Sequence, residues 1–272
     1  MPTAPSPPST QRELPAHRQV LGMRVDATSY EGAADLVVDW SRQSVGRYLC
    51  VANVHMTMEA YDSPEFRQIV NSAALVTPDG MPLVWMLRRL GVSDQTRVYG
   101  PTLMLYVCEA AEAAGVPIGL YGGTPDSLVK MRSYLSQHYP RLNVAYAYPP
   151  PFRTLTPEED AEVMANINAS GARILFVGLG CPKQERWMAA HQAVLPLVQL
   201  GVGAAFDFHS GRVRQAPKWM QDRGLEWLFR LAAEPRRLFR RYAVQNPRFA
   251  VLAGWQLLVL TTRRGPPADE SP

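Results

Sequence analysis

Short apolar runs recur along the chain, and each gives way to a polar turn and then a stretch with helical spacing. The runs are RYLCVA before Asn53, LVT before Asp79, PIGLY before Gly122, NVAYAY before a proline-rich loop, ARILFV before Gly178 and VQLG before Val202. Apolar runs of this length, bounded by Gly, Pro and Asp, predict buried strands. Between them, EGAADLVVDWSRQ places Ala34, Leu36, Val37 and Trp40 on one helical face. MTMEAYDSPEFRQIVNSA predicts a helix interrupted at Pro64, and MPLVWMLRRLG one starting at Pro82, a residue favoured in a first turn. GPTLMLYVCEAAEAAG is a helix closed by Gly115, and a further helix begins near Pro125. TPEEDAEVMANINASG opens on Thr156 with Glu159 three residues on, a capping box, and PKQERWMAAHQAVL follows the ILFV strand. QVLGMRVDATSY contributes a short strand and turn ahead of all this.

Strands that alternate with helices predict an α/β fold, a mainly parallel sheet flanked by helices and Rossmann-like in plan. In such sheets ligands bind outside the carboxyl ends of the strands. The residues with chemistry fall there: Asn53 and His55, Asp79 and Gly80, Gly122 to Thr124, Gly178 to Glu185, and Gly201 to Asp207.

Gly122, Gly123 and Thr124 precede a helix, so their N–H groups are placed to meet a phosphate at its N-terminus. The turn has neither the lysine of a P-loop nor the spacing of a dinucleotide fingerprint, which argues against ATP hydrolysis and nicotinamide chemistry. Gly178 and Gly180 repeat the geometry one strand on; there Lys183 could neutralise a phosphate, and Gln184 and Glu185 could bond sugar hydroxyls. The alternative is that Pro182 and Glu185 simply start a helix. Asp79 in TPDG reads as a general base for an acceptor hydroxyl or as a turn residue. Asn53 and His55 are candidates beside it, and His209 follows GAAFDF. Asp207 belongs to no D-x-D pair, so a metal bridging a nucleotide diphosphate has no evident ligands.

Composition adds bounds. With 272 residues, 47% hydrophobic and 19% charged, the chain can build one domain with an appendage or two small ones. Cys50, Cys108 and Cys181 lie far apart, without metal-site spacing, which predicts a reducing, cytoplasmic setting. The formal net charge is only +4, but from Arg212 to Arg248 ten basic residues stand against three acids. Leu225, Trp227, Leu228, Phe229, Leu238, Phe239 and Tyr242 interleave with them at helical intervals, as in a basic amphipathic element on an anionic membrane. A helix packed on the body, a homo-oligomer contact and nucleic acid are the alternatives, but no nucleic-acid signature accompanies these residues. The apolar stretch 249–262 has fourteen residues, whereas a membrane span needs roughly 20. The division expected is a disordered leader over 1–19, a core over 20–210, a basic docking appendage over 211–262 and a disordered tail over 263–272.

NVHMTMEAYDSPEFRQIVNSAALVTPDGMPLVW, GLGCPKQERWM, GVGAAFDFHSGRVRQAPKWMQDRGLEWLFRL and EPRRLFRRYAVQNPRF together resemble the WecG/TagA/CpsF family of bacterial glycosyltransferases, over roughly residues 20 to 252. The resemblance implies inverting transfer of a sugar from a UDP-sugar to a lipid-pyrophosphate-linked saccharide on the inner face of the cytoplasmic membrane. It implies no metal and no cofactor, and an arginine-rich appendage that aids docking and completes the site. Carried over, the base of the P-D-G motif is Asp79, the Asn after the early strand is Asn53, and the P-K-Q-E turn is Pro182 to Glu185. Many members have Thr two residues before that Asn, where this chain has Val51. Val51, His55 and the PPPFR run at 149–153 point to a subgroup closer to exopolysaccharide glucosyltransferases than to N-acetylmannosamine transferases. Arg212, Arg214 and Arg223 are expected near the leaving diphosphate, and Arg236, Arg237, Arg240 and Arg241 near lipid headgroups or the acceptor pyrophosphate. A nucleotide-sugar binding or regulatory module without turnover is the alternative from another class.

Overall fold

The structure, a computed structural model, describes residues 13–263; the leader and tail expected at the ends lie mostly outside that range, and the side chains of Lys218, Asp222, Arg237, Arg240, Arg241 and Arg263 lie outside the description too. The elements in order are β1 (His17–Val20), β2 (Met23–Asp26), α1 (Tyr30–Ser41), β3 (Arg47–Ala52), α2 (Val54–Asp62), α3 (Pro64–Asn71), β4 (Leu75–Pro78), α4 (Met81–Arg89), α5 (Gly100–Ala114), β5 (Ile118–Gly122), α6 (Pro125–His138), β6 (Val144–Tyr148), α7 (Pro157–Ala169), β7 (Ile174–Gly178), α8 (Lys183–His191), β8 (Val198–Gly201), α9 (Ala205–His209), α10 (Lys218–Asp222), α11 (Glu226–Ala233) and α12 (Pro235–Arg263).

Six strands form one sheet in the order β4-β3-β8-β7-β5-β6, and every neighbouring pair is parallel. Alternation along each strand feeds two cores. Leu49 and Val51 of β3, with Ile174 and Phe176 of β7, pack on the face covered by α1, α5 and α6. Tyr48, Cys50, Leu175 and Val177 face α2, α3, α7 and α8. Both faces are covered, as a parallel sheet requires. The helix starts follow local chemistry: Ser63 caps α3 with Pro64 in its first turn, and Thr156 and Glu159 form the expected capping box of α7.

β1 begins at His17, inside the stretch expected as leader, because it pairs antiparallel with β2. That hairpin protects the edge of the sheet. The buried Asp26 carboxylate accepts from Val76 N on edge strand β4 at 2.7 Å and from Arg24 Nε at 2.8 Å. Pro182 is the cap residue before α8 rather than its first helical residue, and the Cys181–Pro182 peptide is cis.

After α9 the chain forms α10 and α11 and then the 29-residue α12. One face of α12 packs on the body: Arg248 pairs with Asp62 at 2.5 and 2.6 Å, and Gln256 bonds Leu21 N and Gln19 O of the hairpin. The opposite face exposes Val244, Val251, Trp255 and Leu258, whose spacing of seven, four and three residues makes one apolar stripe. The last helix thus packs on the body along one side and leaves an apolar stripe exposed along the other. Among the described residues, no helix is long and apolar enough to cross a membrane.

Candidate active site

The turn after β4 is pinned to its neighbour: Asp79 N and Gly80 N both donate to Ala52 O, at 2.8 and 3.3 Å. This fixes Asp79 at the carboxyl edge of the sheet beside Asn53. Arg97 reaches it from the loop between α4 and α5, a loop held by the bond from Val98 N to Pro78 O. Its Nη2 lies 2.8 Å from Asp79 Oδ1, and its Nε bonds both Oδ1 and the Asp79 carbonyl. The same Nη2 lies 2.7 Å from Glu226 Oε2, at the start of α11. The Asp79, Arg97 and Glu226 side chains keep 15%, 16% and 11% of their exposure, so water screens this cluster little. Burial raises the Asp79 pKa above the usual carboxylate range; Arg97 pulls it down and the Glu226 charge pushes it further up. Burial works against the Arg97 charge, and the two carboxylates more than offset it.

A cavity of about 610 Å³ opens beside this cluster. It is lined by Asn53, His55, Asp79, Gly80 and Arg223 among the residues singled out from sequence, and by parts of α4, α11 and α12. Asn53 caps α2, its Oδ1 accepting from Met56 N at 3.2 Å. His55 Nδ1 lies 2.9 Å from Gln245 Oε1 of α12 and 3.6 Å from Glu59. Gly224 closes the opposite side against α4, leaving no more than 3.0 Å between an added Cβ and Met81. Val51 is buried, pairs in register with the equally buried Thr77, and like it is absent from the cavity lining.

The remaining residues singled out from sequence lie along the same edge, over β8, β7 and β5, and are absent from the cavity lining. Most are committed within the fold. A Cβ at Gly122, where φ is +129°, would come within 2.5 Å of Gly178 O, so glycine there lets β5 and β7 approach, whereas a Cβ at Gly178 would press on the Phe206 ring at 2.8 Å. Gly123 N donates to Gly178 O at 3.3 Å, and Thr124 N to Ser127 Oγ at 2.8 Å within the α6 capping box. A phosphate there would have to displace those bonds. Gln184 is buried, and its Oε1 accepts from Gly180 N and Gly203 N, both at 3.1 Å, stitching the β7 turn to the β8 turn. Its Nε2 donates to Glu185 Oε1 at 2.8 Å. Glu185 is wholly buried, which lifts its pKa to about 7 against the pull of the Gln184 amide and the Cys181 thiol. Lys183 and Arg214 are exposed. Arg212 links Thr124 Oγ1 at 3.3 Å to Asp207 at 3.5 Å. His209 stacks on Tyr134 and lies 2.8 Å from Pro101 O, a structural position.

Sequence reasoning missed Arg97 and Glu226. SDQTRVYG carries no local pattern that marks Arg97, because its role depends on a loop returning to β4. Glu226 left a signal: it is one of few acids in a basic segment, and buried acids survive there only when paired. Among the described residues no three His, Cys, Asp or Glu side chains gather as a metal site.

The arrangement places an ionisable carboxyl of raised pKa, a buried arginine and two further polar side chains at the mouth of a parallel sheet, facing a deep cavity. The model of the glycosyl transferase WecG/TagA/CpsF family matches residues 18–263, and the chain belongs to that family of glycosyltransferases in cell-surface polysaccharide synthesis.

Proposed function

We propose that this chain transfers a hexose or N-acetylhexosamine from a UDP-sugar to a saccharide carried on polyprenyl pyrophosphate, with inversion and without a divalent metal. Asp79 takes the proton of the acceptor hydroxyl, which attacks the anomeric carbon as UDP leaves. The observation that carries this reading is the placement of Asp79: at the carboxyl end of a strand, on the wall of the cavity, with burial raising its proton affinity. Asn53 and His55 line the same cavity and would orient the acceptor. Arg97, Arg223 and Arg230 line the cavity too, and guanidinium groups in a poorly hydrated site stabilise developing phosphate charge.

The exposed stripe of α12, among basic residues, supports docking on the anionic inner face of the cytoplasmic membrane, where a lipid-linked acceptor would be presented. A cytoplasmic, peripheral location follows from that docking. The donor side is proposed further along the sheet edge, beside the β5 and β7 turns, where the exposed Lys183 and Arg214 and the half-exposed Arg212 would supply the cations while the turns' own N–H groups stay bonded within the fold.

The test measures UDP release from a panel of UDP-sugars, with and without lipid-linked acceptor, and with a chelator. Acceptor-dependent release that survives the chelator supports the reading. Donor binding with no release for any pair identifies a nucleotide-sugar binding module instead.

A further inference from the structure

Tyr99 lines the cavity with Asp79, Arg97 and Glu226 and is only 5% exposed. Three contacts fix its backbone. Its N–H donates to the Tyr30 hydroxyl at 2.9 Å, its carbonyl accepts from Leu103 N at 2.8 Å as α5 begins, and Gly100 after it leaves 3.3 Å between an added Cβ and Val51 of β3. Tyr30 is held in turn by stacking on Tyr106, with ring centroids 4.9 Å apart. The Tyr99 ring thereby lies under Arg97, whose guanidinium carbon is 4.2 Å from the ring centroid. A π face as well as two carboxylates holds that guanidinium. Two polar atoms are left open here. Arg97 bonds the Asp79 carboxylate through Oδ1, and among the described residues neither Asp79 Oδ2 nor the Tyr99 hydroxyl has a hydrogen-bond partner. Neither atom is sealed off from the cavity. Burial raises the Tyr99 pKa well above the usual phenol range, and the Glu226 and Asp79 charges push it the same way, so the hydroxyl keeps its proton and is a donor.

We infer that Tyr99 is a specificity-determining residue of the site: its ring positions Arg97, and its hydroxyl donates a hydrogen bond to an oxygen of the acceptor sugar whose neighbouring hydroxyl gives its proton to Asp79 Oδ2. The inference rests on the glycosyl transfer proposed above. A sugar ring carries hydroxyls on adjacent carbons, each both donor and acceptor, which matches an open carboxylate oxygen beside an open phenol O–H. A diphosphate oxygen would satisfy the phenol but meet the carboxylate as a like charge. Burial makes the contact discriminating, because a sugar without the matching oxygen leaves the hydroxyl unpaired away from water.

The experiment compares Tyr99→Phe and Tyr99→Leu with the wild-type chain. Carbon-13 NMR first follows the Asp79 carboxyl across pH without substrate. Tyr99→Phe keeps the ring and should leave that titration in place. Tyr99→Leu loosens Arg97 and should move it to higher pH by roughly half a unit or more. UDP release is then measured with the donor and lipid-linked acceptor that the UDP-sugar panel identifies. Tyr99→Phe should cut kcat/KM for the acceptor by about 2–10-fold, as for one lost neutral hydrogen bond, and leave the donor KM unchanged. An Asp79 titration that stays in place in Tyr99→Leu overturns the positioning of Arg97. Unchanged acceptor kcat/KM in Tyr99→Phe, or a donor KM that rises in step, overturns the hydroxyl contact. If the wild-type chain releases UDP with no pair, the glycosyl-transfer reading fails and the sugar contact with it, while the carboxyl titration still decides whether Tyr99 places Arg97.

Discussion

Arg97 Nη2 lies 2.8 Å from Asp79 Oδ1, although the two residues are 18 positions apart and belong to different loops. The same nitrogen holds Glu226, so one guanidinium joins the candidate base to the appendage that follows the sheet. This pairing sets the proton affinity of Asp79 from two sides.

The two partners act on that affinity with opposite sign. Arg97 lowers the Asp79 pKa and Glu226 raises it. A base must be ionised, so kcat/KM rises with pH through the Asp79 pKa. Arg97→Met should move this acid limb to higher pH, and Glu226→Gln should move it lower. A pH–rate profile reads both, and shifts in the same direction for the two variants would contradict the electrostatic account. Arg97→Met should also lower stability by about 3 kcal/mol, because it leaves two buried carboxylates without their cation.

Asp79→Asn keeps the size of the side chain and removes the base. Turnover should fall by about 10²–10⁴-fold, with nucleotide-sugar binding retained. Single-turnover kinetics beside donor titration separate the two effects, and near-normal turnover removes Asp79 from the role.

Glu185 should make stability depend on pH around neutrality. Its folded pKa is raised by burial to about 7, above its ordinary 4.5. The protonated form is thus favoured in the folded state. Its contribution is full below about pH 4.5 and is lost as pH rises through about 7, at most about 3 kcal/mol. Glu185→Gln should flatten the denaturation midpoint between pH 5 and 8, as the assigned group's titration would require. Equal pH slopes in wild type and variant would place the titration elsewhere.

Gly122→Ala should cost about 2 kcal/mol or more, because its Cβ would press on the Gly178 carbonyl and its φ of +129° disfavours a side chain. Chemical denaturation measures it. A cost below that of an ordinary surface Gly→Ala change would mean that β5 and β7 can separate freely.

Membrane docking is best probed by point changes, since removing α10 to α12 would strip one wall from the cavity. Val251→Asp with Trp255→Ala should weaken sedimentation with anionic vesicles. Added salt should do the same, because charge is screened beyond about 8 Å at physiological ionic strength. Unchanged binding of the double variant would show that the exposed stripe is not the contact.

Much of this was legible along the chain. Apolar runs ending in Asn53, Asp79, Gly122, Gly178 and Gly201 mark strands and their carboxyl ends, because a strand buried on both faces must be continuously apolar and a turn must follow it. The cap at Thr156 was local too, since such a bond spans only three residues; the caps at Ser63 and Thr124 are equally local but were not read from the sequence. The roles of the glycine turns were not. Gly122 reads as a phosphate cradle until β7 is placed beside β5, and Gln184 reads as a ligand until Gly180 and Gly203 are seen to donate to it.

Local sequence therefore determined the strands, the helices, the basic and apolar character of the last segment, and the position of Asp79 at a strand end. Tertiary structure alone decided that Arg97 and Glu226 complete the cluster, that α4 and α12 line the same cavity, and that Gln184 and Glu185 are buried. The physical reason is range: hydrophobic periodicity and capping act over a few residues, whereas pairing and desolvation of charge depend on which distant segments the packed sheet brings together.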